Sequence, residues 1–260
     1  MAEEYTYKDY ASSAALYKKY SAYQKRYAGN IRESDKILIQ MIQTVLAGRP
    51  AGKHSLLDLG CSTGNLLFNI KQTLADTGLH LSGGDLMADV IAECEGNPEL
   101  AGIDFFTLDA LKMSFRAKFD IVVSNALIYL FDEQQLRSVF ENVCRALKPG
   151  SHFLVFDFAH KFEQVLEIKE YSRSHPDGLT LHFRPESQLA ALLTAAGFTD
   201  IAFHPFQIPV DLPQGNLYGK NSDGFEDLNS YTMHTDNRTR LLFRGALFQP
   251  WCHYLAKKAV

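Results

Sequence analysis

The segment Leu56-Leu57-Asp58-Leu59-Gly60-Cys61-Ser62-Thr63-Gly64-Asn65 runs from an apolar stretch through two glycines into a helix-forming stretch. Gly60 lets the backbone turn sharply and carries no Cβ to hold a ligand off the chain. Gly64 permits close packing of the following helix on the strand. A ligand would sit at the carboxyl end of that strand, against the helix N-terminus. The same residues spell G-x-S-x-G, a turn that can present the Ser62 hydroxyl as a nucleophile. Two further acids belong to the set able to do chemistry: Asp85, 25 residues after Gly60, and Asp109 in Leu108-Asp109-Ala110. A carboxylate such as Asp85 can accept from two vicinal hydroxyls at once.

The elements that must position these residues follow from periodicity. From Ser55 onward, apolar runs of strand length alternate with helical stretches, as in a βαβ series with a parallel sheet. Strands are predicted over 56–59, 79–84, 103–108, 119–124, 152–158, 198–203 and 251–256. Helices are predicted over 64–74, 132–147 and 185–196, the second with an acidic first turn and a Lys148-Pro149-Gly150 stop. Before residue 50 the chain reads as helical, with a helix over 34–46 turning Leu38, Ile39, Met41, Ile42 and Leu46 inward. Tyr17, Tyr20, Tyr23 and Tyr27, spaced by three and four, share one helical face ahead of it. The reading is a Rossmann-like α/β fold: residues 1–50 a helical cap, and 51–260 one domain with insertions at about 161–182 and 205–244. Both insertions are read as lids or mobile loops.

With these residues in order, the chain resembles the class I S-adenosylmethionine-dependent methyltransferases. D-L-G-C-S-T-G looks like the family's first motif, and the likeness runs from about Ser55 to Phe158. It implies a seven-stranded, mostly parallel sheet with helices on both faces. It also implies that the Gly-rich turn cradles the methionine part of the cofactor, that Asp85 grips the ribose hydroxyls and that Asp109 meets the adenine amino group. The stretch Phe119 to Tyr129 is similar to the family's fourth motif and would bring Asn125 to the methionine end. Leu147-Lys148-Pro149-Gly150 is familiar from the same enzymes. The expected cofactor residues are Asp58, Gly60, Cys61, Ser62, Gly64, Asp85, Leu86, Asp109, Ala110 and Asn125, joined by Tyr20 and Arg32 from the N-terminal stretch. The pattern departs from its commonest form at Ser62, where Gly is more usual. Ser124-Asn125-Ala126-Leu127 is not the Asn-Pro-Pro-Tyr-like motif of enzymes acting on nucleobase exocyclic amines or glutamine amides.

The resemblance implies methyl transfer to O, N or C of a small-molecule metabolite. Since the donor is already activated, positioning can supply much of the rate, and a general base is needed only for an acceptor that arrives protonated. No catalytic residue is therefore named. The acceptor is assigned to Tyr17, Tyr27, Tyr129, Tyr231, His234 and Arg244; each of these has plain packing or a solvated loop as its competing reading.

Three alternatives remain from the sequence. One is an α/β hydrolase with Ser62 as nucleophile and a triad completed by a late histidine such as His204 or His253; the turn follows the first strand, however, and no HGGG-like segment precedes it. Another is a catalytically silent S-adenosylmethionine-binding regulator. The third uses the same cofactor for aminocarboxypropyl transfer. A nicotinamide cofactor would suit Asp85 alone, but Gly60 to Gly64 is one residue short of G-x-G-x-x-G.

Composition narrows the rest. The net charge of -4 and the lack of a basic stripe disfavour nucleic acid. Cys61, Cys94, Cys144 and Cys252 form no C-x-x-C pair and read as reduced thiols. No signal peptide, membrane span or metal-ligand spacing is visible, so the reading is a cytoplasmic protein without a structural metal. The oligomeric state is not legible.

Overall fold

The computed structural model describes residues 31–171, 178–207, 230–234, 240–244 and 249–260; for 230–234 and 240–244 it describes the backbone. Helix α1 (Glu33–Ala47) comes first and is followed by an alternating series. That series is β1 (His54–Leu59), α2 (Asn65–Thr73), β2 (Leu79–Asp85), α3 (Ala88–Glu95), β3 (Asp104–Thr107), β4 (Phe119–Asn125), α4 (Glu133–Ala146) and β5 (Leu147–Phe158). After it come β6 (Leu166–Tyr171), β7 (Leu179–Phe183), α5 (Glu186–Ala195), β8 (Phe198–Pro205), β9 (Ser230–His234), β10 (Arg240–Arg244) and β11 (Trp251–Lys258).

Among the described residues, seven strands form one sheet in the order β3-β2-β1-β4-β5-β11-β8. Pairing is parallel from β3 through β5, and β11 runs antiparallel to both β5 and β8. This is the mostly parallel seven-stranded sheet that the resemblance implies. Alternation along the strands sorts the core into two layers. Leu57, Leu59, Val122, Phe153 and Val155 face α4 and α5. Leu56, Ile121, Val123, Leu154 and Phe156 face α1, α2 and α3. Helix α4 shows why a helix forms there: Leu136, Val139, Phe140, Val143 and Cys144 recur with helical spacing on one buried face. A capping box between Asp132 and Gln135 sets its start. In α1, Leu38, Ile39 and Ile42 are buried in the same core as the sheet, whereas Met41 and Leu46 are partly covered.

Register brings the strand ends together. Leu59 pairs with Gly84 on one side and Ser124 on the other, so β1, β2 and β4 finish at one edge. Chain reversal there delivers Gly60, Asp85 and Asn125 to the same place.

Two expectations are corrected. The insertions at 161–182 and 205–244, read as lids or mobile loops, both supply strands. Strands β6 and β7 from the first and β9 and β10 from the second form an antiparallel sheet in the order β10-β9-β6-β7. Phe158, Ile168, Leu179, Leu181 and Phe183 form a separate small core beneath it. Strand β5 starts at Leu147 and not His152: Phe119 pairs with Leu147 and Ile121 with His152, so the residues between loop out as an irregularity. Helix α3 has no counterpart in the sequence reading.

Candidate active site

A cavity of about 240 Å³ opens at the carboxyl edge of β1, β2 and β4. Its floor is the turn after β1. Gly60 has φ +81°, and an added Cβ would meet the Leu127 side chain at 3.0 Å. The N–H groups of Gly60 and Cys61 both donate to the Gly84 carbonyl, at 2.7 and 3.0 Å, which fixes the turn to the end of β2. Ser62 sits at φ +48°, the left-handed region that favours glycine. That conformation accounts for Gly being more usual at this place. Its N–H donates to Asp85 at 3.0 Å. Gly64, at φ +76°, is not among the cavity-lining residues; a Cβ there would run into Leu100 at 2.7 Å, so the glycine lets the start of α2 pack against Leu100.

Four carboxylates face the cavity: Asp35, Asp58, Asp85 and Asp109. Asp58, at the end of β1, is 2 % exposed, and its Oδ1 has no hydrogen-bond partner. Burial, with added repulsion from Asp35 and Asp85, pushes its pKa up to about 8. Asp85 accepts from the N–H groups of Ser62 and Met87 through different oxygens, which leaves lone pairs on both. Burial raises its pKa, opposed by those backbone donors. Asp109 caps the turn over Ala110–Lys112 by accepting from the Leu111 N–H at 2.9 Å. Arg32 is the one cationic side chain among the described lining residues, with Nε 3.7 Å from Asp35.

A family model for the methyltransferase domain matches residues 52–197, which contain the turn, Asp85, Asp109 and the β4 edge. This chain is a class I S-adenosylmethionine-dependent methyltransferase by family.

The relatives agree in the domain and differ in what they act on. The chain is 26 % identical over 182 residues to a ubiquinone/menaquinone biosynthesis C-methyltransferase of Desulfotalea psychrophila, covering 62 % of this chain and 72 % of that one. It is 24 % identical over 162 residues to a tRNA N(3)-methylcytidine methyltransferase of Drosophila melanogaster, covering 56 % and 49 %. The chain thus spans about half the length of some curated relatives it matches. The fold is similar to human N-acetylserotonin methyltransferase in complex with S-adenosylmethionine, with a TM-score of 0.62 at 14 % identity, covering 100 % of this chain and 60 % of that one.

The donor set of this methyltransferase suits that cofactor, which carries a sulfonium, an ammonium and a carboxylate. The cavity offers a buried carboxylate oxygen without a partner, backbone without side chains at Gly60 and one guanidinium. Cys61, Ser62, Leu86, Ala110 and Asn125 line the same cavity as Asp58, Gly60, Asp85 and Asp109. Of the residues assigned to the acceptor, Tyr129 lines it too, its ring 5.0 Å from Phe158 and edge-on to Trp251. Tyr17, Tyr20 and Tyr27 lie outside the described residues. Tyr231 and His234 fall on β9 and Arg244 on β10, in the second sheet; their side chains are likewise outside the described set.

The sequence reading missed Asp35, which α1 carries into the cavity, and the wall of Leu127, Leu130, Phe131 and Leu179. Asp35 was legible in principle. It shares the inward face of α1 with Leu38, Ile39 and Ile42, and a charge on an apolar face asks for a reason. Asp157 was missed as well. It is buried in β5, accepts from the N–H groups of Leu127 and Ile128 and so fixes the segment that carries Tyr129. Burial pushes its pKa up to about 7 against these donors.

The hydrolase alternative fails on geometry. No histidine is among the described cavity-lining residues. His253 is on β11, three strands from β1, about 14 Å at ordinary strand spacing. Its Nε2 lies 2.9 Å from the Ser34 carbonyl. His204 is on β8, one strand farther out. The Ser62 backbone has the strained turn of a nucleophile elbow, with no base beside it among the described residues.

Proposed function

We propose that this chain transfers the methyl group of S-adenosylmethionine to a small-molecule acceptor held in the cavity between β1, β4 and β7. The observation that carries the reading is the partnerless Asp58 oxygen beside the Gly60 turn, with Asp85 at the adjacent strand end. In this reading Asp85 accepts from the ribose hydroxyls and Asp109 from the adenine amino group. Asp58 receives the cofactor ammonium, and Arg32 meets its carboxylate. Cys61, Ser62, Leu86, Ala110 and Asn125 complete the contact. Gly64 acts indirectly, by letting the start of α2 pack against Leu100. When bound, the cofactor supplies an activated methyl group; the chain's own task is to place the acceptor in line and exclude water.

A small acceptor is supported by the charge of the cavity lining. Even with Asp58 protonated, Asp35, Asp85 and Asp109 outnumber the one guanidinium among the described lining residues, which disfavours a phosphate backbone, and the net charge is -4. Leu127, Leu130, Phe131 and Leu179 offer an apolar wall instead. Four buried, unpaired cysteines support a reducing compartment such as the cytoplasm.

Calorimetric titration with S-adenosylhomocysteine tests the placement. The wild-type chain should bind, and Asp85→Ala should lose about 100-fold in affinity, as expected for two charge-assisted hydrogen bonds. Equal affinity of variant and wild type would refute the ribose assignment. Incubation of the labelled methyl donor with metabolite pools, read by mass spectrometry, then separates an enzyme from a silent binder.

A further inference from the structure

Asp35 is assigned no contact of its own with the cofactor in the reading above, although its partners Asn125 and Arg32 are. It is 3 % exposed and lines the same cavity. Its Oδ1 accepts from Asn125 Nδ2 at 3.0 Å, which places it at the end of β4. The sheet order there is β3-β2-β1-β4. Asp85 and Asp109 close the β2 and β3 side, Asp58 and Gly60 stand in the middle, and Asp35 with Asn125 closes the β4 side. A cofactor held chiefly by those four residues, with its methionine end reaching Arg32 and Asn125, leaves the Asp35 carboxylate at the β4 limit of the cavity, beside the space open to an acceptor. The neighbouring wall is apolar and aromatic: Tyr129, Leu130, Phe131 and Leu179.

Charge defines the missing partner. Four carboxylates line the cavity against Arg32 alone among the described residues, and the Asp58 Oδ1 is buried with no hydrogen-bond partner. The cofactor brings two positive groups and one negative, so it offsets one net charge and leaves the cavity acidic. Its carboxylate also competes for Arg32, whose Nε is a loose 3.7 Å from Asp35. Where the cofactor carboxylate draws on Arg32, the buried Asp35 carboxylate keeps one neutral amide as its hydrogen-bond donor, a setting that favours a cation able to hydrogen-bond to it.

We propose that the methyl acceptor is an amphipathic amine, its apolar body against Tyr129 and Leu179 and its nitrogen on the Asp35 carboxylate. The inference rests on the cofactor placement proposed above. The protonated amine gives one proton to Asp35, and its freed lone pair forms the N–C bond. The electron pair of the broken C–S bond stays on sulfur. The product is a methylated ammonium and a neutral thioether, and Asp35 returns its proton to water. Burial raises the Asp35 pKa, against Arg32 and Asn125, which suits it to take that proton.

The test uses binding, not turnover. The full chain is saturated with S-adenosylhomocysteine and titrated with three probes of matched shape: phenethylamine, 2-phenylethanol and 3-phenylpropionate. The amine should bind at least about ten-fold tighter than the alcohol and the acid, the preference a buried charge pair confers. Asp35→Asn should erase that preference while leaving alcohol binding unchanged. An alcohol or acid that binds as tightly as the amine overturns the inference, as does a preference that survives in Asp35→Asn. If the variant does not fold, the wild-type ranking alone decides. Failure of S-adenosylhomocysteine to bind the wild-type chain overturns the cofactor placement and this inference together; its binding without amine preference overturns this inference only.

Discussion

The two ends of the central sheet treat a buried aspartate in opposite ways. At the amino end, Asp120 at the start of β4 is 5 % exposed and fully partnered. Its carboxylate accepts from Arg49 at 3.2 Å, Lys148 at 2.6 Å and both the N–H and hydroxyl of Ser55 at 2.9 Å. Burial would raise its pKa, but the hydrogen bonds from Lys148 and Ser55 outweigh that and hold it below the ordinary value. At the carboxyl end, Asp58 on the neighbouring strand is buried as deeply and has an oxygen with no partner. Here burial wins, and the pKa rises to about 8. The contrast teaches how one sheet divides its work. Acid at the amino end ties β1, β4 and β5 together, whereas acid at the carboxyl end is left for a ligand to complete.

Removing Asp120 should cost most. Asp120→Ala strands Arg49 and part of Lys148, so chemical denaturation should show a loss of about 3 kcal/mol. Affinity for S-adenosylhomocysteine, measured on folded protein, should stay within about two-fold, because no ligand contact is lost. A large affinity loss with unchanged stability would erase the division between the two ends.

Asp58→Asn should act the other way round. The Asp58 pKa in the fold exceeds its ordinary value, so between about pH 4 and pH 8 the folded state holds a proton that the unfolded state has released. Its contribution to stability is therefore present at low pH and lost as pH rises through about 8. The variant should remove that part of the decline and be more stable than wild type at alkaline pH by on the order of 2 kcal/mol. Asp157, raised to about 7, leaves a residual decline of the same sign. Parallel stability–pH curves for the two proteins would contradict this. Ligand affinity should fall about ten-fold, since the ammonium loses a charged acceptor.

The smallest effect belongs to Ser62→Gly. Relief of the φ +48° conformation should stabilise the fold by about 0.5–1 kcal/mol. Ligand affinity should stay within about three-fold, because the backbone N–H that holds Asp85 is kept and only one hydroxyl leaves the cavity lining. Thermal unfolding checks the first part and calorimetry the second.

How much of this was legible follows from what each signal depends on. Strands β1, β2 and β4 announce themselves through local apolar runs ended by Gly60, Asp85 and Asn125, so their shared edge could be inferred. Helix α3 is short, and Ala88-Asp89-Val90-Ile91 gives too few turns for a clear period. The second sheet depends on β6 pairing with β9, whose Lys169 and Thr232 partners lie far apart in sequence. No local pattern encodes that register. At the site, Asp85 and Asp109 were found because they follow strands in a recognisable order. Asp35 hid as an ordinary acid in a first helical turn, where the helix dipole already favours it. Leu179 reached the cavity only through the sheet that the sequence did not reveal.

Proton counting puts the contrast to its most direct trial. S-adenosylhomocysteine is titrated into the wild-type chain near pH 6.5 in two buffers with different ionisation heats, since the difference reports the protons exchanged. An Asp58 oxygen that waits for the ligand ammonium predicts release of close to one proton, tighter binding as pH rises towards about 8, and loss of both in Asp58→Asn. Binding without proton release, or release that persists in Asp58→Asn, would contradict the account.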